Sequence, residues 1–290
     1  MNIAIITGAS SGMGREFALQ LDECLGKTDE IWLLARRKEP LEELAASLRI
    51  KARVIAIDLT KESALKQFEE VLAIRNPRIT VLVNCAGIGS HKPFARQSRE
   101  EIESMVQLNI VALTRMTVLC LPYMKKGSKL LQFSSGAAFV PQQAFAVYAA
   151  SKAYVYSLSR ALEQELKGRG ITVTAVCPGP VNTPFLAHAY EDVSKFGLLK
   201  KLTMAETSCV VKKAIDDCKS GRSVSLCGLP IRLLYLSTQG VQNILLRCNS
   251  SAFRLSCYGI RPFKVCLPAK GRIPFRPVHI LTDFAASAKS

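Results

Sequence analysis

Short apolar runs alternate with amphipathic stretches along most of this chain. Residues 3–6 (I-A-I-I), 31–35, 53–57, 79–83, 129–133 and 171–177 are compact and rich in Ile, Val and Leu. Such continuous apolar runs predict strands buried on both faces of a parallel sheet. Between them, apolar residues recur at spacings of three and four, as in Phe17, Leu21 and Leu25 or Leu65, Phe68 and Leu72. That period is helical. The alternation β-α-β-α predicts a doubly wound α/β sheet with right-handed crossovers. Residues 99–121 predict one long amphipathic helix with Met105, Leu108, Val111 and Leu119 in the core. Further helices are predicted from Tyr148 to Lys167 and over 205–219, and a last strand over 223–227.

The first strand runs into Thr7-Gly8-Ala9-Ser10-Ser11-Gly12-Met13-Gly14, and a helix follows. Glycine lets backbone approach a ligand closely, and the first amides of a helix attract anions. A diphosphate suits that arrangement. Farther on, Ser135 stands thirteen residues before Tyr148, and Lys152 four after it. Four residues apart on a helix, Tyr148 and Lys152 share a face. None of the other tyrosines, at 123, 154, 156, 190, 235 and 258, has a Lys at that offset. At about 6 Å and an effective dielectric near 20, an ammonium favours a phenolate by ~3 kcal/mol. That predicts a tyrosine acidified by about two pKa units and useful for acid–base work.

T-G-A-S-S-G-M-G resembles the T-G-x-x-x-G-x-G loop of the short-chain dehydrogenases/reductases. Ser135, Tyr148 and Lys152 match that family's Ser and Y-x-x-x-K. The resemblance continues through N-C-A-G at 84–87, Asn109 and P-G-P-V-N-T at 178–183, over residues 1–230. It implies a Rossmann-type fold and an NAD(P)-dependent oxidoreductase that moves hydride between nicotinamide and a carbonyl or secondary alcohol. It implies that Asn109, Ser135, Tyr148 and Lys152 are catalytic. Ser135 orients the substrate oxygen, Tyr148 protonates it, Lys152 holds the nicotinamide ribose, and Asn109 props the chain and supports a proton relay. Cofactor contacts are expected from Gly8, Ser10, Ser11, Gly12, Met13, Gly14, Arg36, Arg37, Asp58, Leu59, Asn84, Ala86, Gly87, Pro178, Gly179, Val181 and Thr183, besides Tyr148 and Lys152. Cys85 stands where the family often has a second Asn.

Arg36 and Arg37 follow the second strand, with no Asp or Glu at its end. An Arg there pairs with an adenosine 2′-phosphate, an acid with the 2′-hydroxyl. NADP(H) is therefore expected over NAD(H), although two arginines also suit a solvated turn. Asp58 reads equally as an adenine contact or as a cap for the helix after it. The stretch 185–202, with Phe185, Leu186, Tyr190, Phe196, Leu198 and Leu199, is expected to form a lid over a lipophilic carbonyl substrate, steroid-like, 3-oxoacyl or another ketone. The family packs subunits through the Tyr148 helix, so a homodimer or homotetramer is expected. A non-catalytic nucleotide sensor on this fold is the rival reading. Its weakness is the complete Ser/Tyr/Lys set, which a sensor does not need. A sugar-nucleotide epimerase does not fit, because Thr7–Gly14 lacks the T-G-x-x-G-x-x-G pattern.

Composition narrows the classes further. The chain has 290 residues, ten Cys, three His and a formal net charge of +16. There is no C-x-x-C, so no metal site is expected. Cys248, Cys257 and Cys266 recur at nine-residue steps without any accompanying repeat. Neither a nucleic-acid motif nor an apolar run long enough to span a bilayer is present. No basic leader precedes Ile3, and a cytoplasmic enzyme is expected. Much of the charge sits at the end of the chain. Residues 248–290 carry +6, four prolines and Asp283 as their sole acid. We divide the sequence into a domain over 1–247 and a basic, irregular tail over 248–290. The tail reads as a loose extension, an out-of-frame product, or a contact for membrane or acidic partner. The apolar run 231–246 before it suits a docking helix.

Overall fold

In the computed structural model, which describes residues 1–190 and 204–238, the apolar runs become a seven-stranded, all-parallel sheet. Its strands are β1 (Asn2–Thr7), β2 (Glu30–Ala35), β3 (Ala52–Ala56), β4 (Arg78–Asn84), β5 (Met124–Phe133), β6 (Thr172–Val176) and β7 (Val224–Ser225), in the order β3-β2-β1-β4-β5-β6-β7. The described residues all lie in one unit, Met1–Leu246. The helices are α1 (Gly12–Cys24), α2 (Glu39–Ser47), α3 (Glu62–Arg75), α4 (Arg99–Val106), α5 (Leu113–Cys120), α6 (Ala146–Lys167), α7 (Pro184–Ala189) and α8 (Thr207–Lys219).

Strand alternation divides the core between the two faces of the sheet. Ala4, Ile6, Ile31, Leu33, Val81 and Val83 pack with Phe17 and Leu21 of α1, Leu41 and Leu44 of α2, and Val211 and Ile215 of α8. Their neighbours Ile3, Ile5, Trp32, Leu34 and Leu82 face the other way, onto Leu65, Phe68 and Leu72 of α3 and Met116 and Cys120 of α5. Residues with a period of two thus feed two separate apolar layers. The order reverses at β1, which pairs with β2 on one side and β4 on the other. Such a switch opens a crevice beyond the carboxyl ends of the strands.

The helix expected over 99–121 differs in detail. α4 opens with a capping box, in which Ser98 accepts from the Glu101 amide and Glu101 accepts from the Ser98 amide. Residues Gln107–Ala112 then widen into a π-helix before α5 begins. The extra residue in that turn rotates everything after it. Ala112, Leu113, Met116 and Cys120 are buried alongside Met105, whereas Leu108, Val111 and Leu119 are only half-buried. β5 also starts five residues earlier than its apolar run, at Met124. Residues 229–238 are helical, the first part of the predicted docking segment. The rest of that segment, the lid residues Phe196, Leu198 and Leu199, and the tail with Cys248, Cys257 and Cys266 lie outside the described residues.

Candidate active site

The glycine-rich turn lies at the switch point. Thr7 Oγ1 accepts from the amides of Cys85 (3.0 Å) and Ala86 (3.1 Å), which ties the end of β1 to the end of β4. Gly8 has φ +71° and lies so close to Ala86 that a Cβ would meet its backbone at 2.9 Å. A Cβ on Gly14 would sit 2.3 Å from Gly8 O, so only glycine lets the turn close onto α1. No side chain caps the N-terminus of α1, and its first turn has no acid. Its leading amides are left to a ligand, and the dipole makes that ligand an anion. A dinucleotide diphosphate fits this cradle.

The turn opens into a cleft of about 1320 Å3. Gly8, Ser10, Ser11, Gly12, Met13 and Gly14 line one end, with Arg36, Arg37, Asp58 and Leu59 beside them. Arg37 Nη2 donates to Ser10 Oγ at 3.4 Å, so a guanidinium reaches back toward the turn. The Asp58 carboxylate accepts from the amide and hydroxyl of Thr60 at 3.0 and 2.7 Å. Burial would raise its pKa, but those bonds and the charge of Arg36 hold it below the ordinary value. Asp58 therefore lines the cleft and also fixes the turn into α3. Ala86, Gly87, Pro178, Gly179, Val181 and Thr183 line the same cleft farther along.

Two predicted site residues lie beneath the cleft rather than on its wall. Asn84 is buried, and its amide donates to Thr117 Oγ1 (3.0 Å) and Gln132 Oε1 (2.9 Å). Strand alternation turns this side chain toward α5 and β5, away from the cleft wall. Asn109 is fully buried in the π-helical turn. It accepts from the Ile88 amide at 3.0 Å and donates to Ile88 O (2.8 Å) and Ser151 Oγ (3.1 Å). A Cβ on Gly87 would fall 3.2 Å from Asn109 Oδ1 and 3.3 Å from Lys152 Nζ. Asn109 thus props the strip of chain against which Lys152 rests.

Ser135, Tyr148 and Lys152 come together in this cleft. The Ser135 hydroxyl, which accepts from the Ala137 amide at 3.1 Å, lies near enough to the Tyr148 phenol to lower its pKa, whereas Ser134 donates to Lys152 O at 2.8 Å. Lys152 Nζ lies 5.7 Å from the centre of the Tyr148 ring, close to the spacing the sequence predicts. It donates to Phe133 O at 2.8 Å. The electrostatic consequence differs from the expectation. Burial holds the Tyr148 phenol above its ordinary value, with Ser135 opposing and Tyr190 and Cys85 adding to the rise. Burial also pulls the Lys152 ammonium down to about 8. Desolvation therefore sets both shifts. The result is a neutral phenol, suited to giving a proton, beside a cation that is charged only below mildly alkaline pH. The Cys85 thiol is pushed up to about 12 by burial, with Lys152 opposing, and is no nucleophile.

The far end of the cleft is apolar and includes residues the motifs did not single out. Phe145, Phe185, Leu186 and Tyr190 line it, joined by Ile231 and Leu234 from the helical stretch 229–238 and by Gln142. Phe185, Leu186 and Tyr190 belong to the expected lid stretch, whereas Phe145, Ile231 and Leu234 carried no signal beyond lipophilic character, which buried core residues share.

The chain matches the short chain dehydrogenase family model over residues 2–194. An uncharacterized oxidoreductase of Staphylococcus epidermidis is 31% identical over 217 residues, covering 74% of this chain and 91% of that one. The 17-beta-hydroxysteroid dehydrogenase type 3 of Homo sapiens is 31% identical over 191 residues, 62% of this chain and 59% of that enzyme. Among solved structures, a short-chain dehydrogenase from Sphingobium yanoikuyae in complex with NADPH has a TM-score of 0.73 at 28% identity, covering 85% of this chain and 96% of that one. A bulky-bulky ketone specific alcohol dehydrogenase from Comamonas testosteroni has a TM-score of 0.68 at 25% identity, covering 84% of this chain and 94% of that one. With its glycine cradle and its Ser135, Tyr148 and Lys152 in one cleft, the chain belongs to the short-chain dehydrogenase family of NAD(P)-dependent oxidoreductases.

Proposed function

We propose that this enzyme is an NADP(H)-dependent reductase of lipophilic ketones, operating reversibly on the matching secondary alcohols. One observation carries the reading: Ser135 and Tyr148 line one wall of the cleft that the glycine turn opens, with Lys152 Nζ 5.7 Å from the Tyr148 ring. A bound nicotinamide dinucleotide supplies the hydride. Ser135 and Tyr148 hold the carbonyl oxygen between two hydroxyls, which fixes the face that hydride reaches. Tyr148 gives its phenolic proton to that oxygen as negative charge develops there. Lys152, charged at neutral pH, stabilises the phenolate left behind and would hold the cofactor ribose. Asn109 holds the 87–88 strip in place beneath Lys152, and so keeps the path by which the phenol regains its proton.

Arg36 and Arg37 support the NADP(H) preference, since two guanidinium groups immediately follow β2, with no acid at the strand end. The apolar far end supports a lipophilic substrate, and the hydroxysteroid dehydrogenase relative is consistent with one. We further infer a cytoplasmic homodimer or homotetramer joined through α6. The deciding experiment is Tyr148→Phe. NADPH binding, read by fluorescence titration, stays at the wild-type value, while oxidation of NADPH with a panel of bulky ketones is lost. Turnover that survives in this variant overturns the mechanism. Wild-type protein that binds NADPH yet reduces no ketone would mark a sensor instead.

A further inference from the structure

Tyr148 is enclosed by rings on both sides, and the chain makes room for them. The Phe145 ring stacks on it with centroids 4.3 Å apart and planes 22° apart. The Phe185 ring of α7 lies against it at 5.4 Å and 43°. Gly89 closes the third side. A Cβ there would meet Phe185 Cζ at 2.8 Å, Tyr148 Cδ2 at 3.0 Å and Phe145 Cε2 at 3.4 Å. All three rings converge on one missing methyl group. No ordinary side chain fits that point without displacing them.

The backbone fixes this enclosure. Ala144 adopts a left-handed φ of +57°, uncommon for a residue with a Cβ. It turns the chain so that Phe145 heads α6, with its amide bonded to Gln142 O (3.2 Å) and its carbonyl to the Ala149 amide (2.9 Å). Three residues on along the helix, Tyr148 falls beneath it. Behind Phe145, His91 and Tyr190 stack on each other at 4.4 Å, and the His91 amide donates to Ala189 O at 2.7 Å. The loop after β4 and the end of α7 are thereby joined at the back of the enclosure.

We infer that Phe145 and Phe185 are positioning residues that clamp the ring of Tyr148, with Gly89 the gap that lets the clamp close. The inference rests on the proposed role of Tyr148 and adds what aims it. A phenol free to swing about χ1 loses its alignment with Ser135, and misplacement of about 1 Å costs on the order of a hundredfold in rate. The groups facing the phenol from the surrounding elements are Ser135, Lys152, Tyr190 and Cys85. The clamp keeps water from the remaining approaches.

Three variants test this: Phe145→Leu, Phe145→Tyr and Phe185→Leu. The last replaces a half-buried side chain and spares the fold. Both Leu variants should lose roughly ten- to a hundredfold in kcat with NADPH affinity unchanged, whereas Phe145→Tyr, which keeps the ring, should recover most of that loss. A second reading needs no turnover. Near-ultraviolet phenolate absorbance, taken against the same protein carrying Tyr148→Phe, should report ionisation at lower pH in Phe145→Leu. Unchanged kcat, a loss confined to KM, or a phenolate forming at the wild-type pH overturns the clamp. If Tyr148→Phe itself keeps turnover, the acid role fails, and the absorbance titration still decides the clamp.

Discussion

Lys152→Met should make the cofactor-free protein more stable at pH 7 and catalytically dead. In the folded chain the ammonium falls from an ordinary 10.5 to about 8, because burial disfavours its charge. At about 1.4 kcal/mol per tenfold change in acidity, holding that charge inside costs ~3 kcal/mol at neutral pH. Methionine fills a similar volume without a charge. Against this stands the bond from the charged Nζ to Phe133 O, whose loss removes about 1.5–3 kcal/mol. The net gain is at most about 1.5 kcal/mol, or roughly 6 °C in Tm for a domain of this size. The sign with pH is fixed. Below pH 8 the penalty is complete. Between about 8 and 10.5 the folded state holds fewer protons than the unfolded state, so the wild type gains on the variant as pH rises. Above 10.5 the ammonium penalty is gone. Thermal melts of both proteins from neutral pH to above 10.5 check this. A variant less stable at pH 7, or a Tm difference that does not change through that window, would falsify the assignment of Lys152 as a destabilising buried cation.

Replacing Arg36 and Arg37 together by Ala should raise KM for NADPH by at least about tenfold and leave KM for NADH nearly unchanged, since each guanidinium–phosphate contact is worth about 1.5–3 kcal/mol. An NADPH preference that survives the double change removes both residues from cofactor choice. Gly14→Ala drives a Cβ to within 2.3 Å of Gly8 O and should abolish nucleotide binding with a loss of more than about 2 kcal/mol in denaturant unfolding. Glu30 is buried against Trp32 Nε1 (3.0 Å), Lys51 Nζ (3.1 Å) and Arg53 Nε (3.3 Å). Burial raises its pKa but these partners win, so it titrates below its ordinary 4.5. Its contribution is present above 4.5 and lost as pH falls through the lower folded value; acid unfolding of Glu30→Gln should therefore be less pH-dependent in that range than that of the wild type.

The sheet was legible because a strand buried on both faces must be apolar at every position, and a glycine or a polar turn must end it. Asn84 marks the limit of motif reading. Its place in N-C-A-G suggests the cofactor, but its parity with Leu82 already assigns it to the α5 face, and it is found bonded to Thr117 and Gln132 there. Counting by twos puts Asn84 on the same face of β4 as Leu82, the face that the fold turns toward α5. The π-helical turn had no such signal. It forms where the side chain of Asn109 is consumed by Ile88 and Ser151, groups 21 and 42 residues away in the chain.

The acidity of Tyr148 shows most clearly what a local pattern leaves out. The four-residue spacing correctly places an ammonium near the ring, and Coulomb's law at that distance favours the phenolate. The opposing effect comes from rings at 145 and 185 and from the chain at Gly89, which no spacing rule connects to Tyr148. Enclosure strips water from phenol and ammonium alike, so both move toward their neutral forms. For a reductase that is the useful direction. A phenol that keeps its proton until charge develops on the substrate oxygen is a better acid for the reaction than one already ionised, and the Lys152 charge acts mainly on the phenolate that follows. The pair therefore works through the state it reaches during proton transfer rather than through the state in which it rests.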